Sequence, residues 1–214
     1  MSFAAFTPFE ALAEKLLPHA TEGTTDGSHD VSHLLRVWKN ASAIHTAEGG
    51  DKEILAASTI LHDCVAVEKN SPLRAQASKL AAKKASDLLT GIGWQTQKIA
   101  AAAHAIEAHS FSANIPPRTL EAQILQDADR LDAIGMVGAA RCFYIAGRMG
   151  SGLYDPDDPT AENRSLDDKS FAIDHFETKL FKLTAGFNTA KGAQIAQARQ
   201  ERLRRFLDEF LDEI

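Results

Sequence analysis

Three short strings carry residues whose types and spacing suit chemistry on a bound cation. In SHDVSHLLRV (28–37), His29 and His33 are four apart, so on a helix they share a face. In TILHDCVAVEKN (59–70), His62 and Asp63 are adjacent on an otherwise apolar helix, and such an ionisable pair is costly to bury without compensation. In ILQDADRLDAIG (124–135), Asp127, Asp129 and Asp132 interrupt core-like residues. Helical spacing puts Asp129 and Asp132 near one face and turns Asp127 away from Asp129. Each string also has a plainer use: a solvated helix start, a structural His-Asp hydrogen bond, a salt bridge from Arg130. A zinc-protease reading of the first string needs a glutamate base where Asp30 stands, one methylene too short to reach well. Together the strings offer His, then His-Asp, then Asp, from three predicted helices. Two imidazoles and two carboxylates give mixed N/O ligation, which suits Mn, Fe, Zn, Co or Ni rather than a dedicated calcium site.

The elements that must position these residues all read as helices. Ala is abundant, β-branched runs are scarce, and apolar residues recur at three and four. Helices are predicted over 7–18, from a Ser28 or Asp30 cap to Gly49-Gly50, from an Asp51 cap through Leu61, and from Asn70-Ser71-Pro72 to about Leu89 with Gly91 as C-terminal cap. Others follow over 94–108, from Pro117 through Ile134, and over roughly 168–184 and 189–213. Gly135 and Gly138 begin or bend a short helix, and SGLYDPDDPTAENRS (151–165) reads as a long surface loop. The fold class expected is all-α, a single domain over 1–214.

Composition narrows the function classes. The chain has 214 residues, 44% hydrophobic and 24% charged, so a core can be buried and a largely disordered chain is excluded. A formal net charge of -6 gives no reason to expect a partner that is a nucleic-acid polymer. Two cysteines, Cys64 and Cys142, make no disulfide framework or Cys-rich zinc module. No apolar run reaches membrane-spanning length, and the start MSFAAFTPFEALAEKL has no basic leader, so a cytoplasmic protein with free thiols is expected.

The order H…HD…D, with the strings SHLLRV, LHD and DADRLDA, resembles the HD-domain superfamily of metal-dependent phosphohydrolases, over roughly residues 10–185. LHDCVAVEKNSPLRAQAS, HSFS and LQDADRLDAIG are similar to the bacterial single-domain YedJ/YpgQ-like type. The resemblance implies an HD-type helical bundle with a central metal site, with 186–214 as a C-terminal helix. Its ligands would be His33, His62, Asp63 and Asp129, and His29 would support them. The implied cofactor is a divalent ion, Mn in preference to Fe, Co, Ni, Zn or Mg.

Some HD enzymes carry an acidic residue three or four positions after the HD aspartate. Here Ala66 and Val67 stand there, and Glu68 is the nearest carboxylate. Water activation therefore falls chiefly to the metal, with Asp63 orienting the water. Lys69, Arg74, Ser78 and Lys79 follow closely, and the resemblance draws Lys69 and Arg74 toward phosphate. Arg36, three after His33, either reaches the same pocket or pairs with an acid.

His104 and His109 are five apart, which splays them by about 140° on one continuous helix. They converge only if the helix ends near Ala108, and the resemblance then offers substrate contact or a second ion. His19, His45 and His175 have no partner by pattern. Arg141, Phe143, Tyr144, Arg148 and Tyr154 lie in a segment that reads as core plus solvated charge, and the resemblance suggests that it lines or covers the pocket.

The function expected is hydrolysis of a small phosphorylated substrate, above all a nucleoside triphosphate cleaved to monophosphate and pyrophosphate. Alternatives are a nucleotide monophosphatase, a cyclic-nucleotide phosphodiesterase, a nucleotide-sensing binding protein, or a di-iron oxygenase if a second metal site is complete. The C-terminal helix, with Leu203, Phe206, Leu207, Phe210 and Leu211, can pack on the core or on a second subunit of a homodimer.

Overall fold

A computed structural model describes residues 3–20, 31–65, 67, 76–110 and 113–214. His29, Asp30, Glu68, Lys69 and Arg74 lie outside the described residues, as do the Ser28 cap and the Asn70-Ser71-Pro72 restart. Among the described residues every regular element is a helix, with one isolated bridge between Gly152 and Phe171. The chain forms two compact units, Met1–Asp129 and Arg130–Ile214.

The first unit holds α1 (Glu10–Ala20), α2 (Val31–Glu48), α3 (Lys52–Leu61), α4 (Ala77–Gly91), α5 (Thr96–Ala108) and most of α6 (Leu120–Asp132). A 3-10 turn at Phe3–Phe6 precedes α1, so the first helix starts later than the 7–18 expected. On α2 the residues Leu34, Val37, Trp38, Ala41 and Ile44 are all buried, as their spacing of three and four predicts. Trp38 stacks on Phe6 with ring centroids 5.5 Å apart and donates Nε1–H to Ala5 O at 2.8 Å.

Helix α3 is the innermost element of this unit. Every residue from Ile54 to Leu61 is buried, which explains the small Ala56, Ala57 and Ser58 among its large apolar residues. Asp51 caps it, its Oδ1 accepting from the backbone N–H of Glu53 at 2.9 Å and of Ile54 at 3.2 Å. Two expected boundaries shift. The left-handed residue after α4 is Gly93 (φ +83) rather than Gly91, which stays helical. Pro117 precedes α6 instead of entering its first turn, because the helix begins at Leu120 behind Thr119, whose Oγ1 accepts from Ala122 N–H at 3.2 Å.

The second unit continues α6 and adds α7 (Gly135–Met149), α8 (Asp174–Thr178) and α9 (Ala190–Asp212). Gly138 is required, since a Cβ there would lie 2.4 Å from Ala133 O. Helix α7 runs for 15 residues, longer than expected. Phe143 of α7, Phe176 of α8 and Phe206 and Phe210 of α9 form an aromatic cluster, with ring centroids 5.6 to 6.3 Å apart. The C-terminal helix thus packs its phenylalanines within its own unit.

The helix expected over 168–184 is broken. Asp167 Oδ1 accepts from Lys169 N–H and Ser170 N–H, and Asp168 Oδ2 holds both His175 Nδ1 and Thr178 Oγ1. These side chains offer the backbone an alternative to helical bonds. Only Asp174–Thr178 and a 3-10 segment, Leu180–Thr184, are helical there. The acidic stretch 151–165 contains no helix and is tied down by Arg164. That guanidinium bonds both oxygens of buried Asp174 at 2.5 and 3.0 Å, pairs with Asp155 at 3.1 Å, and lies 4.7 Å from the Phe171 ring centroid.

Candidate metal centre

Four elements of the first unit bring five side chains together. His33 is the third residue of α2, His62 and Asp63 follow the last residue of α3, His109 follows the last residue of α5, and Asp129 projects from α6. His62 and His109 are built alike. Each keeps helical dihedrals one residue past its helix, φ -59 and ψ -33 for His62 and φ -62 and ψ -36 for His109. Each ring bonds the carbonyl three residues back, His62 Nδ1 to Thr59 O at 2.8 Å and His109 Nδ1 to Ile106 O at 2.6 Å. A carbonyl only accepts, so Nδ1 carries the proton and Nε2 faces the cluster.

The Nε2 atoms of His33 and His62 are 3.2 Å apart. His33 Nε2 is 3.4 Å from Asp129 Oδ1 and 4.0 Å from Asp63 Oδ2. His62 Nε2 is 3.6 Å from Asp63 Oδ2 and 3.8 Å from Asp129 Oδ1, and His109 Nε2 is 3.5 Å from Asp63 Oδ1. Donors about 2.1 Å from a common ion sit about 3.0 Å apart at right angles and about 3.4 Å apart at tetrahedral angles. The spacings of 3.2, 3.4 and 3.5 Å match edges of such a shell, and those of 3.6 to 4.0 Å are longer. Two groups, His33-His62-Asp129 and His62-Asp63-His109, can each hold a cation. Helix-end hydrogen bonds to the far ring nitrogens are the usual outer support of imidazole ligands.

Burial divides the cluster. The His33, His62 and His109 side chains are at most 7% exposed, whereas the Asp63 and Asp129 side chains are 39% and 29% exposed. Solvent therefore reaches the cluster from the carboxylate side. Burial lowers the His62 pKa, outweighing the opposite pull of Asp63 and Asp129, which favours the neutral ring whose lone pair can ligate. Burial opposes the charge on Asp63, but His62, His109 and His33 outweigh it and hold that carboxyl well below its ordinary range. Burial also opposes charge on His109, yet Asp63 and Asp129 raise it to about 9.

The turn carrying Asp63 is fastened from α4. Lys84 Nζ donates to Cys64 O at 3.1 Å and to His19 O at 3.3 Å, and Cys64 Sγ donates to Ala81 O at 3.6 Å. Two buried amides tie α6 to its neighbours: Asn40 Nδ2 donates to Ala128 O at 3.0 Å and Gln126 Nε2 to Ala108 O at 2.7 Å. Sequence reasoning missed Lys84, Asn40 and Gln126. A lone cation or amide among core residues carries no spacing signal.

Several of the other expected site residues have local partners. His104 Nε2 accepts from Arg118 N–H at 2.9 Å, so it does not join His109. Arg36 Nη1 donates to Ser32 Oγ at 2.8 Å. Ser78 is buried in the first turn of α4, its hydroxyl without a hydrogen-bond partner among the described residues. Asp132 pairs with Arg141 at 2.6 Å in the second unit, rather than joining Asp129. Arg148 lies over the Tyr144 ring, and Tyr154 meets Phe210 edge-on. His45 Nε2 lies 3.1 Å from Gly50 O, and His175 pairs with Asp168, so both serve local structure.

A family model described as HD domain matches residues 30–134, a span that contains all five clustered residues. The Bacillus subtilis protein YpgQ is 31% identical over 201 residues, which cover 91% of this chain and 90% of that one. The chain belongs to the HD-domain family of hydrolases. Among solved HD-domain structures, an HD-superfamily hydrolase from Bacillus thuringiensis matches with 30% identity and a TM-score of 0.73, over 95% of this chain and 96% of that one. The crystal structure of Bacillus subtilis YpgQ in complex with ADP matches with 28% identity and a TM-score of 0.74, over 95% of each chain.

Proposed function

We propose that this HD-domain protein is a divalent-metal-dependent phosphohydrolase whose substrate is a nucleoside triphosphate, cleaved to monophosphate and pyrophosphate. The observation that carries the reading is the cluster itself: buried imidazoles with their Nε2 atoms turned inward, beside two carboxylates open to solvent. His33, His62, Asp63 and Asp129 would hold the ion, and manganese suits that mixed donor set. A bound divalent ion supplies Lewis acidity toward phosphoryl oxygens and makes water more acidic. The ADP complex of YpgQ supports a nucleotide as ligand.

The chain's own groups do the rest. Asp63 orients the attacking water from the open side of the cluster. His109, beside Asp63, contacts the phosphate or supports a second ion. Lys69, Arg74 and Ser78 follow the HD pair and supply cations and a hydroxyl for the phosphates, with Arg36 reinforcing them. Glu68, five positions after Asp63 in the chain, is the next carboxylate in sequence and the candidate for a further acid. The functional unit is the HD core over about 10–185, carrying its C-terminal helix.

The test is a nucleotide screen of the purified protein with each divalent metal, measuring phosphate and pyrophosphate separately. Pyrophosphate release that needs added metal and disappears in Asp63→Ala is the expected result. Phosphate release alone would sink the pyrophosphohydrolase reading, and wild-type turnover in Asp63→Ala would sink the site.

A further inference from the structure

Each of the two buried amides noted above reaches the carbonyl of the residue just before a cluster side chain. Ala108 precedes His109, and Ala128 precedes Asp129. Ala108 O belongs to the last residue of α5, so it has no partner within its own helix, and Gln126 fills that place. Gln126 itself lies three residues before Asp129, on the same side of α6. Asn40 lies seven residues, or two turns, after His33 on α2. The two bonds therefore tie the helix of Asp129 to the helix of His33 and to the helix that ends just before His109.

Both amides are buried, Asn40 at 4% and Gln126 at 6% exposure, and the residues next to them in the chain, Ala41 and Leu125, are buried too. An apolar side chain of the same size would fill either place without needing a partner. What an amide adds is direction: the bond is made at one register of two helices and lost when they slide. We infer that Gln126 and Asn40 are positioning residues for the cation, setting the register of Asp129 against His109 and His33. This rests on the metal-centre reading given above. Outer-shell partners of metal ligands typically carry about 10- to 100-fold in metal affinity.

The test uses Gln126→Met and Asn40→Leu, which keep the volume and remove the donor, together with Gln126→Glu, which keeps shape but loses the N–H. Cobalt(II) is titrated into each metal-free protein, and its visible absorption bands and dissociation constant are read beside the far-ultraviolet circular dichroism. The expected result is a roughly tenfold or greater loss of cobalt affinity with altered bands, at unchanged helix content. Wild-type bands and affinity in the variants would overturn the inference, and so would loss of helix content, which assigns the amides to folding alone. Failure of the wild-type protein to take up cobalt would instead overturn the metal-centre reading.

Discussion

His33 and His62, 29 residues apart in the chain, aim their Nε2 atoms at each other across 3.2 Å. Because His62 keeps its proton on Nδ1, its lone pair faces a second ring in a buried place. The contact is favourable only with a proton or a cation between the rings. Adding manganese should therefore raise the melting temperature of the wild-type protein, by about 2.7 kcal/mol of stabilisation at a hundred times the dissociation constant. In His62→Ala the metal-induced rise should vanish and affinity fall more than 100-fold while helix content persists. Calorimetric titration and thermal melts check both.

The metal-free protein should have a distinctive pH profile. His109 has a folded pKa of about 9 against an ordinary 6.5, because Asp63 and Asp129 outweigh the burial that lowers it. A raised folded pKa gives stabilisation that is complete below about 6.5 and lost as pH climbs to about 9. His62, lowered by burial, acts in the opposite sense and costs stability as pH falls below its ordinary value. Melting temperature should thus decline between pH 6.5 and 9, and His109→Gln should lack that decline.

The strings that meet in the cluster were legible because an ionisable His-Asp pair and a further histidine and aspartate on apolar helices need partners to be buried. His109 was only half legible. The end of α5 at Ala108 is as the sequence predicts, but the spacing does not say which of the two histidines turns inward: His109 does, while His104 accepts from Arg118 N–H. The broken helix over 168–184 was illegible for a related reason: its residues have fair helical spacing. What overrides it is a set of tertiary bonds, Arg164 to Asp174 and Asp167 N–H to Asp174 Oδ2 at 2.7 Å.

Lys84 fastens the turn that carries Asp63. Replacing it with Met removes a charged donor from two carbonyls, Cys64 O and His19 O. The expected cost is about 1.5 to 3 kcal/mol in urea unfolding, with weaker metal binding. Lys84→Arg should recover part of both. Unchanged metal affinity in Lys84→Met would show that the turn holds its shape without the lysine.

Both thiols should be inert in the folded protein. Cys64 and Cys142 are buried, and burial raises each to about 11. The thiolate is the reactive form, so alkylation by iodoacetamide at pH 7.5 should be negligible until urea is added. Mass spectrometry of the intact protein counts the adducts.

His62 and His109 each stand one residue past a helix and grip the carbonyl three residues back. Fraying of that last turn would swing the ring away from the cluster, so losing the cation and unwinding the helix end become a single event. Occupancy is then written into the backbone itself. The final amides of α3 and α5 should exchange their hydrogens for deuterium slowly when metal is bound, and at the pace of ordinary helix ends when it is removed.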